Sequence, residues 1–198
     1  MMKRLFDLFF SIVGFVVLFP LFVLISLFIL IDSRGGIFYV QKRVGRGNKD
    51  FALYKFRTMR KDAHKKGLLT VGGRDPRITR VGYVLRKFKL DELPQLLNII
   101  KGDMSIVGPR PEVRKYVDMY DEEQLKVLDV RPGLTDYASL EYIDENEILG
   151  NSDNPEKIYI EEVMPAKLEL NLRYIKEKNF ITDLKIIFKT LGKIFGRR

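Results

Sequence analysis

The longest feature in the pattern of hydrophobic and polar positions is a near-continuous apolar run over residues 5–31. A transmembrane helix needs about 20 apolar residues, and this run supplies them. Pro20 lies in the middle of the run and predicts a kink in the helix, because proline removes a backbone hydrogen bond. Neither half alone can cross a hydrocarbon core of about 30 Å. The run is too long for a signal peptide and lacks a small-residue cleavage site, so we do not expect it to be cleaved.

Basic residues flank the apolar run on both sides. Lys3 and Arg4 precede it, while Arg34, Lys42 and Arg43 follow it. Positively charged flanks tend to stay in the cytoplasm, which would put both ends on that side. A re-entrant helix, which enters the membrane, bends and leaves on the same side, satisfies the charge pattern and the proline together. Proline is also tolerated in spanning helices, so the residue pattern alone leaves both topologies open.

The remaining chain shows alternating shorter patterns separated by glycine and proline. These patterns predict strands over 37–40 and 51–57, and helices over 79–87, 91–100 and 111–130. We therefore expect a mixed α/β fold. It consists of a largely helical globular domain with a small β element over residues 33–198, attached to a membrane helix over residues 1–32.

The C-terminal segment, residues 180–198, has the spacing of an amphipathic helix. Its apolar face comprises Ile181, Leu184, Phe188, Leu191 and Phe195, and its lysines fall on another face. A helix of this kind packs either on a protein core or on an anionic membrane surface. The pattern leaves both possibilities open.

The composition limits the partners and the kinds of metal site that the protein can have. The formal net charge of +9 predicts anionic partners such as lipid headgroups or phosphorylated substrates. No recognisable nucleic-acid-binding motif accompanies this charge, so we expect no nucleic-acid partner. The chain has no cysteine and a single histidine, His64, which excludes disulfides, thiolate metal sites and histidine-based zinc sites. A metal ion here would be a hard cation such as magnesium or manganese, held by carboxylates and substrate oxygens.

Several residues are candidates for phosphate chemistry. Asp91 and Glu92 fall at a predicted helix start, where a nucleophilic carboxylate and a metal ligand or proton carrier could divide the work. Arg110 lies between two prolines, which would preorganise its guanidinium for a phosphate. Arg86 lies five residues before Asp91, and Lys55 and Arg57 alternate around Phe56 in a predicted strand, which would point both charges to one side. Each signal taken singly is more typical of a helix cap, a turn or a solvated surface.

The order of these segments along the chain is more specific than any one of them. The segments are Gln41-Lys42-Arg43-Val44-Gly45, Lys55-Phe56-Arg57-Thr58-Met59, Asp75-Pro76-Arg77-Ile78-Thr79, Arg86, Leu90-Asp91-Glu92-Leu93-Pro94-Gln95-Leu96-Leu97-Asn98, Lys101-Gly102-Asp103-Met104-Ser105, Val107-Gly108-Pro109-Arg110-Pro111 and Arg131-Pro132-Gly133-Leu134-Thr135. Together they closely resemble the bacterial sugar transferases, the small monotopic polyprenyl-phosphate phosphoglycosyltransferases. The resemblance extends from the membrane helix to Thr135 and more loosely to the C-terminal helices.

The resemblance implies a reaction and roles for particular residues. It implies transfer of a phospho-sugar from a UDP-sugar to a polyprenyl phosphate, usually undecaprenyl phosphate, with release of UMP. Asp91 would be the nucleophile and a ligand of Mg²⁺, and Glu92 would complete the dyad. Lys55, Arg57, Arg86 and Arg110 would bind substrate phosphates, while Arg131 and Thr135 would belong to the nucleotide-sugar region.

The resemblance also implies a location, the bacterial inner membrane with the catalytic domain on its cytoplasmic face, and a re-entrant helix kinked near Pro20. The segment from Asp136 to Tyr142 departs from many relatives, as does Lys89, where a small or polar residue is common. The sugar, the pathway and the oligomeric state are therefore left open. A non-catalytic membrane scaffold of a glycan-assembly complex is the alternative function, and the intact Asp91-Glu92 pair argues against it.

Overall fold

A computed structural model describes residues 2–61, 63, 75–142, 145–150 and 152–196. Its first element is the long helix α1, Met2–Asp32, with Pro20 inside it. Within the described residues, α1 is the helix long and apolar enough to cross a membrane, and only 17% of its most apolar window is buried. The expected long apolar helix is therefore present, and its length and composition are consistent with a membrane anchor. A bend at Pro20 and a re-entrant course stay predictions.

One side of α1 packs against the globular domain along its whole length. The buried positions follow a helical spacing: Asp7, Ser11, Phe22, Ile25 and Ile29. Phe15 and Leu18 continue this stripe between its two ends and contact the core. The opposite side exposes large apolar side chains from Phe9 to Ile31. This division gives α1 one protein-facing stripe and one broad apolar surface.

Polar contacts hold both ends of α1 to the domain. Near the N-terminal end, Arg4 donates to the carbonyl oxygen of Ile99 at 2.6 Å, and the carboxylate of Asp7 accepts from the Ser105 hydroxyl at 2.8 Å. At the C-terminal end, Asp32 accepts from the backbone N–H of Val81 at 3.0 Å. We refer to these contacts, together with those of Arg57 described below, as the anchor clamps.

The first sheet is an antiparallel hairpin that lies beside α1. Strands β1, Phe38–Val44, and β2, Asp50–Phe56, pair with Phe38 opposite Phe56 and Val44 opposite Asp50. Phe56 is buried against Phe22 of α1. The two predicted strands are therefore present, and the first is longer than the sequence pattern indicated.

A helical hairpin-like segment follows. Helix α2, Arg80–Lys87, begins at Thr79, whose side chain accepts from the N–H of Gly82 at 2.9 Å. A single 3₁₀ turn, Leu90–Glu92, then leads into α3, Gln95–Lys101. The helix predicted over 91–100 is therefore divided into two elements. The acidic pair lies in the 3₁₀ turn, and α3 begins only after it. Gly102 ends α3 with a φ of 100°, a left-handed conformation that glycine adopts without steric cost.

A second sheet consists of two short parallel strands. Strands β3, Ser105–Val107, and β4, Gly133–Thr135, pair through Ser105 with Gly133 and Val107 with Thr135. The sequence pattern predicted neither strand, since each has only three residues. Three residues are too few for an alternating pattern to be recognised.

The predicted helix over 111–130 is wrong. The structure has the short helix α4, Arg114–Val117, and a 3₁₀ segment, Gln124–Asp129. Between them, the Asp121 side chain accepts from the N–H of Gln124 at 2.8 Å, and the Gln124 side chain accepts from the N–H of Asp121. This reciprocal bonding takes backbone groups that a continuous helix would need, because acidic and amide side chains compete for local N–H groups.

The rest of the described chain is helical. It comprises α5, Tyr137–Glu141; α6, Glu145–Gly150; α7, Pro155–Ile158; a π-helical turn, Tyr159–Val163; α8, Met164–Glu177; and α9, Phe180–Phe195. Tyr159, Val163 and Leu168 bury their side chains against Tyr116 and Val127. The expected fold class, a largely helical α/β domain with small β elements, is confirmed.

Helix α9 uses a different face for the core than the pattern suggested. Ile186 is fully buried in it, and Asp183 is bonded to the hydroxyl of Tyr174 at 2.7 Å. The apolar residues Ile181 and Phe188 are instead 64% and 69% exposed. Lys3 of α1 pairs with Asp183, so α9 lies beside the start of α1. Arg197 and Arg198 lie outside the described residues.

Candidate active site

The centre of the candidate site is Glu92, which is bonded by two cations. Arg110 donates to both oxygens of its carboxylate, with 3.2 Å from Nη1 to Oε2, and the second contact joins Nη2 to Oε1. Lys55 donates from Nζ to Oε1 at 3.2 Å. These residues are 18 and 37 positions away in sequence from Glu92. The fold therefore brings together three of the predicted site residues.

The position of Arg110 depends on a close approach between two backbone segments. A Cβ atom on Gly133 would lie 2.1 Å from the nitrogen of Gly108, so neither glycine has room for a side chain. The backbone N–H of Arg110 then donates to Asp136 at 3.1 Å. Asp136 is fully buried and also caps α5 by accepting from the N–H of Ser139. Sequence reasoning missed this role of Asp136, although an aspartate directly before a helix is a capping signal.

The position of Lys55 depends on a buried asparagine in α3. The Asn98 amide accepts from the N–H of Tyr54 at 3.0 Å and donates to the carbonyl of Ala52 at 2.7 Å. These bonds attach β2 to the helix that follows the acidic pair. Asn98 is fully buried and was missed as a site-building residue. An asparagine within an apolar helical segment was the available signal.

Asp91 contrasts with its neighbour. Its side chain is buried, with 7% of the residue exposed, yet among the described residues nothing donates a hydrogen bond to its carboxylate. Burial raises the pKa of Asp91 above its ordinary value, because desolvation outweighs the opposing charge of Lys55. A carboxylate with a raised pKa and free oxygens suits nucleophilic attack more than structural bonding.

The pKa of Glu92 is shifted in the opposite direction to that of Asp91. Burial alone would raise its pKa, but the charges of Arg110 and Lys55 together hold the pKa of Glu92 well below its usual range. Glu92 in turn raises the pKa of the Arg110 guanidinium, while burial lowers the pKa of Lys55. Glu92 is therefore a fixed anion, and the two adjacent carboxylates differ because of their partners.

Arg86 is a further cation whose charge acts on Asp91. Its Nε donates to the Thr58 hydroxyl at 2.9 Å, and burial lowers the pKa of its guanidinium. The charge of Arg86 acts to lower the pKa of Asp91, and the opposite charge of Asp91 acts to raise that of Arg86. Lys55 and Arg110 thus meet Glu92, and the charge of Arg86 acts on Asp91, while the predicted roles of all three in binding phosphate stay predictions.

Three other predicted site residues are bound to the framework. Arg57 donates to the carbonyl oxygens of Ser33 and Arg34 at 2.7 Å each, at the C-terminal end of α1. Arg131 donates from Nε to the carbonyl oxygen of Gly102 at 2.9 Å. The Thr135 hydroxyl is bonded to that of Thr190 in α9 at 2.6 Å. The described contacts do not bring these side chains to the acidic pair, and their substrate roles stay predictions.

The donor set fits a magnesium ion only in combination with substrate. Among the described residues, no group of three or more histidine, aspartate or glutamate side chains is arranged so that it could hold a metal ion. Glu92 is occupied by its two cations, whereas the oxygens of Asp91 accept no hydrogen bond from the described residues. Mg²⁺ usually takes one or two carboxylates and completes its shell with water and substrate phosphates. Asp91 fits that pattern.

Comparison with known proteins identifies a family and several relatives to which this chain is similar. The family model described as bacterial sugar transferase matches residues 1–197. A UDP-N-acetylgalactosamine-undecaprenyl-phosphate N-acetylgalactosaminephosphotransferase of Aeromonas hydrophila is 36% identical over 202 residues, covering 99% of this chain and 45% of that protein. The exopolysaccharide production protein ExoY of Rhizobium meliloti is 35% identical, covering 98% of this chain and 85% of that protein.

A third relative is the UDP-glucose:undecaprenyl-phosphate glucose-1-phosphate transferase of Escherichia coli. It is 33% identical, covering 98% of this chain and 40% of that protein. The chain therefore spans less than half the length of the Aeromonas and Escherichia relatives. The family match extends over nearly the whole chain, which confirms the resemblance drawn from the motifs. This chain belongs to the bacterial sugar transferase family.

Proposed function

We propose that the protein transfers a sugar phosphate from a UDP-sugar to a polyprenyl phosphate, such as undecaprenyl phosphate, through a covalent intermediate on Asp91. The observation that carries the proposal is the contrast within the acidic pair. Asp91 has a raised pKa and accepts no hydrogen bond from the described residues, beside a Glu92 held by Arg110 and Lys55. The names of the relatives support the substrate classes.

In the first step, an oxygen of the Asp91 carboxylate attacks the phosphorus that carries the sugar. The new Asp91–phosphorus bond forms as the bond from that phosphorus to the bridging diphosphate oxygen breaks, and UMP leaves with that oxygen. The positive charges of Lys55 and Arg86 act on the reacting carboxylate. Fixed positive charge of this kind stabilises the oxygens of a transferring phosphoryl group.

In the second step, a phosphate oxygen of the polyprenyl phosphate attacks the same phosphorus. The bond to Asp91 breaks, the carboxylate is regenerated, and the polyprenyl-diphosphate-sugar leaves. A covalent intermediate divides one transfer between two anionic partners into two steps, in each of which only one partner must approach. Glu92 keeps Arg110 and Lys55 oriented throughout, because its low pKa keeps it ionised.

The proposed cofactor is Mg²⁺, held by Asp91 together with phosphate oxygens of the substrate. When bound, it supplies Lewis-acid polarisation of the phosphoryl oxygens and offsets their charge. The residues of this chain supply the remaining positive charge, from Lys55, Arg86 and Arg110.

The proposed topology is monotopic, with residues 1–32 as a re-entrant membrane helix and residues 33–198 as a catalytic domain on the cytoplasmic face of the inner membrane. Support comes from the contacts of α1, which is packed against the domain along its length and bonded to it at both ends. A spanning course would have to break the anchor clamps at one end and leave buried charges without partners.

The topology can be tested with single cysteines, because the chain has none of its own. Met2→Cys and Gly36→Cys report the two ends of α1. In sealed inverted vesicles, both should react with a membrane-impermeant maleimide. Reaction at one end only would contradict the re-entrant course and favour a spanning helix.

The reaction can be tested with detergent-solubilised protein, Mg²⁺, undecaprenyl phosphate and a panel of UDP-hexoses and UDP-N-acetylhexosamines. UMP release with one donor, absent in Asp91→Asn, is the expected result. Mass spectrometry without acceptor should find one sugar phosphate added to a peptide containing Asp91. No adduct and no UMP from any donor would contradict the proposal and favour the alternative, a non-catalytic scaffold of a glycan-assembly complex.

A further inference from the structure

Lys89 has an unusual backbone conformation for a lysine. Its φ of 56° and ψ of 20° lie in the left-handed region, and within the described residues the other non-glycine residue with a positive φ is Asn48. Glycine and asparagine adopt this conformation most readily, whereas other side chains are strained in it. Asparagine or glycine would adopt this turn with less strain, so the presence of lysine indicates a role for its side chain.

The backbone of Lys89 is fixed to the candidate active site. Its N–H donates to the carbonyl of Arg86 at 3.2 Å, and its carbonyl accepts from the N–H of Glu92 at 3.3 Å. Lys89 thus connects α2 to the turn that carries Asp91. The left-handed conformation of Lys89 sets the orientation of the end of α2 relative to the acidic pair. It also fixes the position beside them from which the Lys89 side chain extends.

The side chain of Lys89 is an available cation. It is exposed, and among the described residues it makes no ion pair or side-chain hydrogen bond. Lys55, in contrast, is already bonded to Glu92. Lys89 nevertheless lies two residues before Asp91, and its carbonyl accepts from the N–H of Glu92, so its side chain extends from the turn that carries the dyad. An anion bound by Lys89 would therefore be held at this turn.

The surface beside Lys89 is apolar and adjoins the membrane helix. On one side of α2, Leu85 packs with Phe22 and Ile29 of α1. On its outer side, Val84 and Phe88 are exposed one helical turn apart. A cation at the end of an exposed apolar helix face complements a ligand with a hydrocarbon chain and an anionic head. A nucleotide sugar has no such chain.

We propose that Lys89 binds the phosphate group of the polyprenyl-phosphate acceptor at the entrance to the dyad. The inference deepens the proposed function and rests on it. Lys89 then positions the acceptor phosphate for the second step, in which that phosphate attacks the sugar phosphate on Asp91. It contributes little to the first step, which requires only the UDP-sugar.

The test measures adduct formation and transfer to the acceptor separately in the variant Lys89→Asn. This substitution removes the positive charge and relieves the strain of the left-handed backbone conformation. At pH 8 and saturating UDP-sugar, the KM for undecaprenyl phosphate in neutral detergent micelles should rise about tenfold, the effect of losing one charge-assisted contact. The rate of adduct formation without acceptor should stay near that of the unchanged protein. Lys89→Arg should restore the acceptor KM to within about twofold.

Lys87→Asn is the matched control, because it removes an exposed charge from the last turn of the same helix. It should leave the acceptor KM unchanged. The thermal midpoint of Lys89→Asn should not fall, since asparagine tolerates the left-handed conformation. A lower midpoint with slower adduct formation would indicate a purely structural role and overturn the proposal.

Three further results would overturn it. An unchanged acceptor KM in Lys89→Asn would exclude binding of the acceptor phosphate. A raised KM for the UDP-sugar alone would assign Lys89 to the donor diphosphate. An equal effect in Lys87→Asn would indicate a general surface charge. Failure of the proposed function itself is distinct, because the unchanged protein would then form no adduct.

Discussion

The anchor clamps and the acidic pair both bury charged side chains, but they treat those charges differently. In the clamps, the charged groups are bonded to neighbouring elements, although Nε of Arg57 is buried without a hydrogen-bond partner among the described residues. Asp7 accepts two hydrogen bonds, from the Ser105 hydroxyl and the N–H of Ile106, and Arg57 donates to the carbonyl oxygens that end α1. At the dyad, Glu92 has two cationic partners and Asp91 accepts no hydrogen bond from the described residues.

The difference shows how the same residue types serve stability in one region and reactivity in the other. A buried charge held by several hydrogen bonds is inert and holds elements together. A buried carboxylate without them has a raised pKa and is destabilised in its ionised form, which new bonds to phosphorus or a metal ion can relieve. The following predictions test this contrast, beginning with the largest effect.

Asp91→Asn should lower adduct formation and turnover by at least about a thousandfold, because the amide cannot act as the nucleophile. Its thermal midpoint should stay the same or rise, since the raised pKa of Asp91 means that the ionised form is disfavoured in the folded protein. Differential scanning fluorimetry and UMP release measure the two effects. A large fall in the midpoint would show that Asp91 holds the fold together.

Glu92→Gln should lose activity and stability together. It leaves the buried Arg110 and Lys55 without their shared anion, which typically costs about 3 kcal/mol when a buried pair is broken. Chemical denaturation should show this fall in the free energy of unfolding, and Asp91→Asn is the matched control. Equal stability of the two variants would remove the distinction between the carboxylates.

The pH dependence should separate activity from folding. Adduct formation should fall as the pH drops through the raised pKa of Asp91, above the ordinary aspartate value of 3.8. The stabilisation from Glu92 is present above its unfolded pKa and is lost only as the pH falls through its depressed folded pKa, well below 4.5. Circular dichroism should therefore find folded, inactive protein between the two transitions. Coincident transitions would contradict this order.

Asp7→Asn should have the smallest effect and should act on stability alone. The amide replaces one of the two accepting oxygens with an NH2 group, so one donor at this site loses its acceptor, which costs about 1–3 kcal/mol. The folded fraction should retain its turnover per molecule. Lys126→Gln, at an exposed pair with Glu123, is a control that should leave stability nearly unchanged. Loss of turnover in folded Asp7→Asn would couple the clamp to catalysis.

Much of the architecture could be predicted from local signals. The apolar run specifies α1, and Thr79 and Gly102 mark the start of α2 and the end of α3 through capping. Prediction failed over 111–130, where the Asp121 and Gln124 side chains bond locally and interrupt the helix. It also failed for β3 and β4, whose pairing joins segments too short to carry a pattern of their own.

The sequence by itself determined the long apolar helix, the family and the acidic pair as the candidate site, because composition, capping and motif order are local properties of the chain. Only the tertiary structure decided which cations meet that pair. Arg110 reaches Glu92 because Gly108 and Gly133 allow two backbones to touch, while Arg57 is directed to the end of α1. Charge partners depend on long-range packing, which no local pattern encodes.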